Sequence, residues 1–238
     1  MGSLENKNVV VIGGTSGIGL ASAVMAQAEG ANVWAASRSD DKVAACSSQH
    51  PDIRFSQLDI HDVDGMKSLF ESIGTIDHII AAATGGERVN APFLEQTHDE
   101  WSGAFNKLWG YSHVARQGVP FLTETGSLTF VSGFPARKIR PGMSSIGSTG
   151  AAVETMARYL ALEIAPKRVN IVAPGLIASG MYDHLPEENR QAMYKSLGEG
   201  LPLRRVGESE EVAASIIHAM SNAYMTGATL DVEGGILF

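Results

Sequence analysis

Three glycines that follow an apolar run set the first chemistry this chain can do. Val9-Val10-Val11-Ile12 reads as a strand, Gly13 stops it, and Gly17 and Gly19 follow before a helical pattern begins at Leu20. A turn of this kind lets backbone N–H groups and a helix N-terminus approach a phosphate with no side chain in the way. Thr15 and Ser16 add hydroxyl donors, and Ile18 sits between the last two glycines. The spacing Gly13-xxx-Gly17-x-Gly19 differs from the general dinucleotide fingerprint, and glycine is common in turns of every kind. Its position between a strand and a helix gives the trio weight.

A second candidate group ends the next strand, Val33-Trp34-Ala35-Ala36-Ser37-Arg38. In dinucleotide sites of open α/β sheets an acid near this point binds the ribose 2′-OH, whereas Arg suits a 2′-phosphate. Ser37 and Arg38 are followed by no carboxylate until Asp40. A guanidinium binds phosphate through charge-assisted bonds, so NADP(H) is expected over NAD(H). The alternative for Arg38 is a solvated surface arginine. Asp59 and Ile60, closing Gln57-Leu58-Asp59-Ile60, are candidates for the adenine end. Asp59 either accepts from the amino group or caps a helix.

The elements that must position these residues alternate along the chain. Strands are predicted over Val9–Ile12, Val33–Ala36, Ile53–Leu58, His78–Ala82, Ser127–Val131, Val169–Val172 and Thr229–Val232. Helical periodicity runs over Leu20–Glu29, Val63–Ile73, Glu100–Leu122, Ser145–Ile164 and Glu210–Met220. Such alternation predicts βαβ units and a parallel sheet covered on both faces. Gly30 and Gly74 fall where helices should end, and Thr97-His98-Asp99-Glu100 reads as a capping box. No linker or repeat appears, so one domain is expected over residues 1–238. Leu176–Gly200 is the least regular part, follows a strand end, and reads as a mobile lid or a plain surface helix.

The 238 residues suffice for one sizeable core. A net charge of −8, with no basic block longer than Arg137-Lys138 or Arg204-Arg205, argues against a nucleic-acid partner. No apolar run is long enough for a bilayer, and Met1–Lys7 lacks the apolar stretch of a secretory signal. A single cysteine, Cys46, suits a reducing compartment. A cytoplasmic protein with no membrane partner is expected. The seven histidines are scattered, and no metal site is expected.

Together these residues resemble the short-chain dehydrogenase/reductase family over the full length. The resemblance covers Gly13–Gly19, Leu58-Asp59-Ile60, Asn106, Arg168-Val169-Asn170 and Pro174-Gly175-Leu176-Ile177. It continues through Pro202-Leu203-Arg204-Arg205, Glu211-Val212-Ala213, Thr226-Gly227 and Glu233-Gly234-Gly235. It implies a Rossmann fold with a seven-stranded parallel sheet, a homotetramer or homodimer, and hydride transfer to or from a small molecule. It also implies that Ile177 and Ser179 lie near the nicotinamide carboxamide and Pro174-Gly175 along its ring. Ala82 and Ala83, in Ala81-Ala82-Ala83-Thr84, replace an Asn-Asn-Ala-Gly loop and would keep only backbone contacts to the cofactor.

The family's catalytic Asn, Ser, Tyr and Lys are mostly missing. By the resemblance the Tyr place is Ile146, the Lys place Gly150 and the Ser place Gly133, with Asn106 retained. Isoleucine moves no proton and glycine carries no charge, although positioning contributes separately to rate. Ser132 beside the lost serine place could orient a carbonyl, or be satisfied by backbone. Lys107 could replace the lost charge, or be a surface lysine. Ser144, Ser145 and Ser148 flank the lost tyrosine. Tyr111, Tyr182 and His184 are further candidate proton donors, and Arg137, Lys138 and Arg140 form a basic loop. Two readings follow. One is an NADP(H)-dependent oxidoreductase with a non-standard site, reducing a carbonyl or conjugated double bond. The other is a non-catalytic NADP(H)-binding or scaffold protein.

Overall fold

Short runs rich in valine, isoleucine and alanine become strands because both of their faces are covered. A computed structural model describes residues 3–84, 89–179 and 185–238. Its main sheet has seven parallel strands in the order β3-β2-β1-β4-β5-β6-β9. These are β1 (Asn8–Ile12), β2 (Asn32–Ser37), β3 (Ile53–Gln57), β4 (Ile76–Ala81), β5 (Leu122–Val131), β6 (Arg168–Pro174) and β9 (Thr229–Val232). A separate pair, β7 (Ile177–Ala178) and β8 (Gly207–Glu208), lies outside that sheet. The seven-stranded α/β architecture expected from the sequence is the one observed.

Alternate residues of each strand enter opposite cores, as the twofold side-chain period of a strand requires. Val10, Ile12, Ile79, Phe130 and Ile171 pack with α3 (Val63–Ile73), α4 (His98–Gly118) and α5 (Ser144–Glu163). Val9, Val11, Ile80, Val131 and Val172 pack on the other face with α1 (Gly17–Ala28) and α7 (Ser209–Ser221). The capping box is present, with Thr97 and Glu100 bonding reciprocally at the start of α4. Gly30 and Gly74 both take positive φ just past their helices.

Most ends shift by one to three residues from the expectation, and the larger differences have local reasons. α4 stops at Gly118 and a 3-10 turn over Val119–Phe121 follows, because Pro120 has no N–H to continue the helix. β5 therefore begins earlier, at Leu122. α2 (Asp40–Gln49) buries only Cys46, so no apolar stripe marks it in the sequence. The stretch Leu176–Gly200 contains β7 and a helix, α6 (Glu187–Glu199), that buries only Tyr194 and Gly198. Met181, Tyr182 and His184 lie outside the described residues.

Strand order reverses beside β1: the chain moves outward through β2 and β3, then crosses back to β4 on the other side. Ligands of open α/β sheets bind outside the carboxyl ends at such a switch point. Ladder-like bonds continue one residue past the strands there. Gly13 N–H and Gly14 N–H donate to Ala36 O (2.8 and 3.1 Å), and Ala82 N–H donates to Ile12 O (2.8 Å). Ser132 N–H donates to Val172 O, and Gly175 N–H to Val232 O, both at 2.9 Å. The residues at this edge thus inherit the rigidity of the sheet.

The opposite edge carries buried polar groups with structural work. Arg168 donates to the carbonyls of Ala219, Met220 and Met225 around the end of α7. His78 shares a 2.8 Å hydrogen bond with Ser127, and burial lowers its pKa to about 4 against an opposing pull from Asp77. The native state therefore holds His78 neutral where the unfolded chain, titrating near the ordinary 6.5, takes up a proton. Stability contributed by this group is present above pH 6.5 and is lost as pH falls from 6.5 to about 4. Denaturant titrations should show the wild type losing on the order of 3 kcal/mol more than His78→Gln across that window. Parallel profiles for the two proteins would contradict this assignment.

Candidate functional site

The turn between β1 and α1 is built from backbone packed against backbone. Gly13 (φ +91°) lies so close to the loop after β4 that a Cβ there would stand 2.5 Å from Ala83 N. A Cβ on Gly19 would collide with the Gly13 carbonyl oxygen, and one on Gly14 would meet the Ala35 methyl at 2.7 Å. Gly17 takes φ +50° and opens α1. The first-turn N–H groups of any helix lack intrahelical partners and carry its positive dipole end. No acidic side chain occupies the first turn of α1, and its N-cap Ser16 is exposed with a hydroxyl that makes no capping bond. Thr15 is buried, and its carbonyl accepts from the Cys46 thiol at 3.4 Å. Burial raises that thiol's pKa. Ile18 is half-buried and packs on the α1 side of the core. This cradle suits the pyrophosphate of a dinucleotide.

Beyond it, Ser37 ends β2 and Arg38 is exposed. The Arg38 carbonyl accepts from Gln57 Nε2 at 3.1 Å, while its guanidinium makes no hydrogen bond or ion pair among the described residues. Asp59 is exposed and accepts from His61 N–H at 2.8 Å. It is not a helix cap: Asp62 caps α3. Ile60 is buried against Gly110 of α4, where a Cβ would stand 2.9 Å from the Ile60 side chain. Ala82 and Ala83 are half-buried, and Ala83 holds the loop against Gly13 through backbone alone.

A cleft of about 90 Å³ opens beside the ends of β4, β5 and β6. Lys107, Ser132, Gly133, Ile146, Gly150, Pro174 and Gly175 are among its lining residues. Lys107 is the one charged side chain of that lining. Its Nζ donates to Ser132 O at 3.2 Å and stands 5.3 Å from the centre of the Tyr111 ring. Asn106 does not reach the cleft: it is exposed on α4. Successive helix residues point about 100° apart, so turning Lys107 inward turns Asn106 out. Tyr111 is fully buried, stacks on Phe130 and donates to Val131 O at 3.0 Å, which makes it a packing residue.

Ser132 is 4% exposed, and its hydroxyl donates to Glu154 Oε1 (3.1 Å) and Gly150 O (3.4 Å). Glu154, buried on α5, also pairs with Arg137 (3.3 Å) and Arg158 (3.2 Å). Arg137 reaches on to Asp231 at 3.0 Å. Burial pushes the Asp231 carboxyl above its ordinary range, with Arg137 pulling it back. Sequence reasoning missed Glu154. The available signal was spacing: Ile146, Gly150 and Glu154 recur every fourth residue and so share one helical face. The basic loop is likewise engaged. Lys138 donates to Phe238 O at 2.6 Å, and Arg140 lies over the Phe134 ring. Among the other serines, Ser144 accepts from Gln96 and Ser145 is fully buried.

Ile177 pairs with Gly207 in the β7–β8 ladder, and the Ser179 carbonyl accepts from Tyr194 at 3.3 Å. Arg205 grips Glu211 with two nitrogens (2.6 and 2.7 Å) beneath this ladder, holding the Glu211 pKa at about 2. Among the described residues no group of three or more His, Cys, Asp or Glu is arranged to hold a metal. None of their helices is long and apolar enough to cross a membrane.

Comparison with known proteins places the whole chain beside reductases and dehydrogenases of similar length. Residues 13–237 match a family model described as enoyl-(acyl carrier protein) reductase. The 3-oxoacyl-[acyl-carrier-protein] reductase of Thermotoga maritima is 30% identical, covering 98% of this chain and 99% of that protein. A solved small-chain dehydrogenase in complex with NADPH is 32% identical, with a TM-score of 0.84 and coverage of 98% and 99%. A short-chain oxidoreductase from Pseudomonas aeruginosa, NADPH-bound and said to contain an atypical catalytic centre, is 27% identical. Its TM-score is 0.88, and 98% of each chain is covered.

The cradle's sterics are directly testable. Gly19→Ala should lower the melting temperature in the absence of any ligand, at a cost of about 1–3 kcal/mol, the usual range for overpacking. An unchanged melting temperature would show that the turn has room for a side chain at Gly19.

Proposed function

The chain belongs to the short-chain dehydrogenase/reductase family, and on that premise we propose that it is an NADP(H)-dependent reductase with a non-standard active site. Its substrate is a small molecule carrying a carbonyl or a conjugated double bond. The observation that carries this reading is Lys107, the cleft's single cationic side chain among the described residues. The family's Tyr and Lys places fall at Ile146 and Gly150, and its Ser place at Gly133; all three line the same cleft. The chemistry those side chains supply in the family has to come from elsewhere here.

When bound, the reduced nicotinamide supplies a hydride. The protein's own residues supply the rest. Gly13, Thr15, Ser16, Gly17, Ile18 and Gly19 form the cradle for the pyrophosphate. Ser37 and Arg38 receive the 2′-phosphate, and Asp59, Ile60, Ala82 and Ala83 flank the adenosine. Pro174, Gly175, Ile177 and Ser179 border the nicotinamide. Lys107 donates a hydrogen bond, and then a proton, to the substrate oxygen as negative charge grows on it. Its anchor on the Ser132 carbonyl fixes the direction of that ammonium. A positive charge in a cleft walled by Ile146, Phe134 and Pro174 acts through a weaker dielectric than water and stabilises that oxygen more strongly.

NADPH-bound relatives and the unpaired Arg38 guanidinium support the choice of cofactor. Exposed Trp109 on α4, with Tyr159 and Leu162 on α5, supports a homo-oligomer. The single buried Cys46 suits a reducing, cytoplasmic setting.

Two measurements test the reading. NADPH oxidation followed at 340 nm with a panel of aldehydes, ketones and enones should reveal turnover. Lys107→Ala should reduce kcat by about 10²- to 10⁴-fold with its melting temperature retained. Turnover unaffected by Lys107→Ala would remove that residue from the mechanism. Tight NADPH binding without turnover of any compound would favour the non-catalytic alternative, which the aliphatic Ile146 and the bare Gly150 at the cleft support. Separately, Arg38→Asp should weaken NADPH binding by about 10- to 100-fold, the worth of charged hydrogen bonds, and favour NADH. Unchanged affinity for both would overturn the role of Arg38.

A further inference from the structure

The hydrogen-bond partners of Ser132 reverse the role a serine at this edge is expected to play. A hydroxyl has one proton to give and two lone pairs to receive with. Both groups within reach of Ser132 Oγ, the Glu154 carboxylate at 3.1 Å and the Gly150 carbonyl at 3.4 Å, are acceptors. The proton therefore points back toward α5 whichever of the two takes it. Among the described residues no N–H or O–H donates to Ser132 Oγ. Its lone pairs are left for the cleft that Ser132 lines. The Glu154 bond is charge-assisted and roughly twice as strong as a neutral one. The carboxylate is itself locked by Arg137 and Arg158, so swinging the hydroxyl proton into the cleft would abandon a good partner. The cleft thus offers a strong donor, Lys107, and a separate acceptor, Ser132.

We propose that Glu154 is a positioning residue that makes Ser132 a hydrogen-bond acceptor, and that the cleft selects ligands with a hydroxyl next to the carbonyl: α-hydroxyketones, or vicinal diols in the reverse direction. The carbonyl oxygen faces Lys107 and the neighbouring hydroxyl donates to Ser132 Oγ. A ketone with a methyl group in place of that hydroxyl leaves the lone pairs of the buried Ser132 unpaired, and unpaired buried polar groups are the main source of selectivity of this kind. The placement of the carbonyl rests on the reductase reading above; the hydroxyl preference is a binding property and stands apart from turnover.

The test compares 1-hydroxypropan-2-one with its near-isostere butan-2-one, each titrated by NMR into the full-length protein saturated with NADP+. The wild type should bind the hydroxyketone about tenfold more tightly, which corresponds to about 1.4 kcal/mol. Ser132→Ala should bring the two affinities to within about twofold of each other. Glu154→Gln, whose amide can donate to Ser132 Oγ and free the hydroxyl proton for the cleft, should do the same or reverse the order. The ratio is the readout because a purely structural role for Glu154 would weaken both ligands together. Should Glu154→Gln fail to fold, Ser132→Ala decides alone. Equal binding by the wild type, or a ratio that survives in the folded variants, would overturn the proposal. A preserved ratio in a wild type that oxidises NADPH with neither ketone nor any other compound of the panel would defeat the reductase reading and leave this one standing. Turnover of both ketones without a binding preference would do the opposite.

Discussion

The contact of Gly13 with Ala83, and of Gly19 with the Gly13 carbonyl, governs the rest of the molecule's functional edge. Three stretches of backbone meet where strand order reverses, at distances no side chain would allow. That closeness brings the start of α1 over the carboxyl ends of β1 and β4 and keeps its N–H groups uncovered. It also places the loop after β4 beside the cleft formed by β5 and β6. Without it the helix would stand away from the sheet and its positive end would face solvent.

From that fixed edge the cleft gains its chemistry through one residue, Ser132. Its backbone N–H is tied to β6, its carbonyl receives Lys107, and its hydroxyl is turned toward Glu154. A cation and an anion thus meet the same residue from different helices, α4 and α5. Each charge is oriented by a hydrogen bond to Ser132; Glu154 is buried and Lys107 half-buried. Arg137 and Asp231 extend this polar chain to β9, so the last strand of the sheet takes part in holding the site. Gly133 and Gly150 line the cleft without side chains and leave room beside Ser132.

Much of this was legible in the sequence, and what was not has identifiable causes. The seven main strands and five of the helices follow from apolar periodicity, because their packing faces are apolar. α2 escapes because it buries almost nothing and so leaves no stripe to read; α6, one of the two readings open for Leu176–Gly200, buries only Tyr194 and Gly198 and so leaves no stripe that fixes its bounds. The glycine turn between β1 and α1 was legible because glycine is the residue that backbone contact demands. Asn106 is exposed and Lys107 lines the cleft, a distinction sequence alone leaves open because one residue rotates a helical side chain by about 100°. Glu154 by itself carries no mark in the sequence that sets it apart from other helical carboxylates. Its meaning depends on Arg137 and Asp231, which are distant in sequence and meet it only after folding.

The central claim is that this backbone cradle holds a phosphorylated dinucleotide, and calorimetric titration of the purified protein with NADPH tests it most directly. One site per chain with a dissociation constant in the micromolar range or tighter is the predicted result. Absence of measurable binding to NADPH and to NADH alike, in protein shown to be folded, would contradict the account at its base.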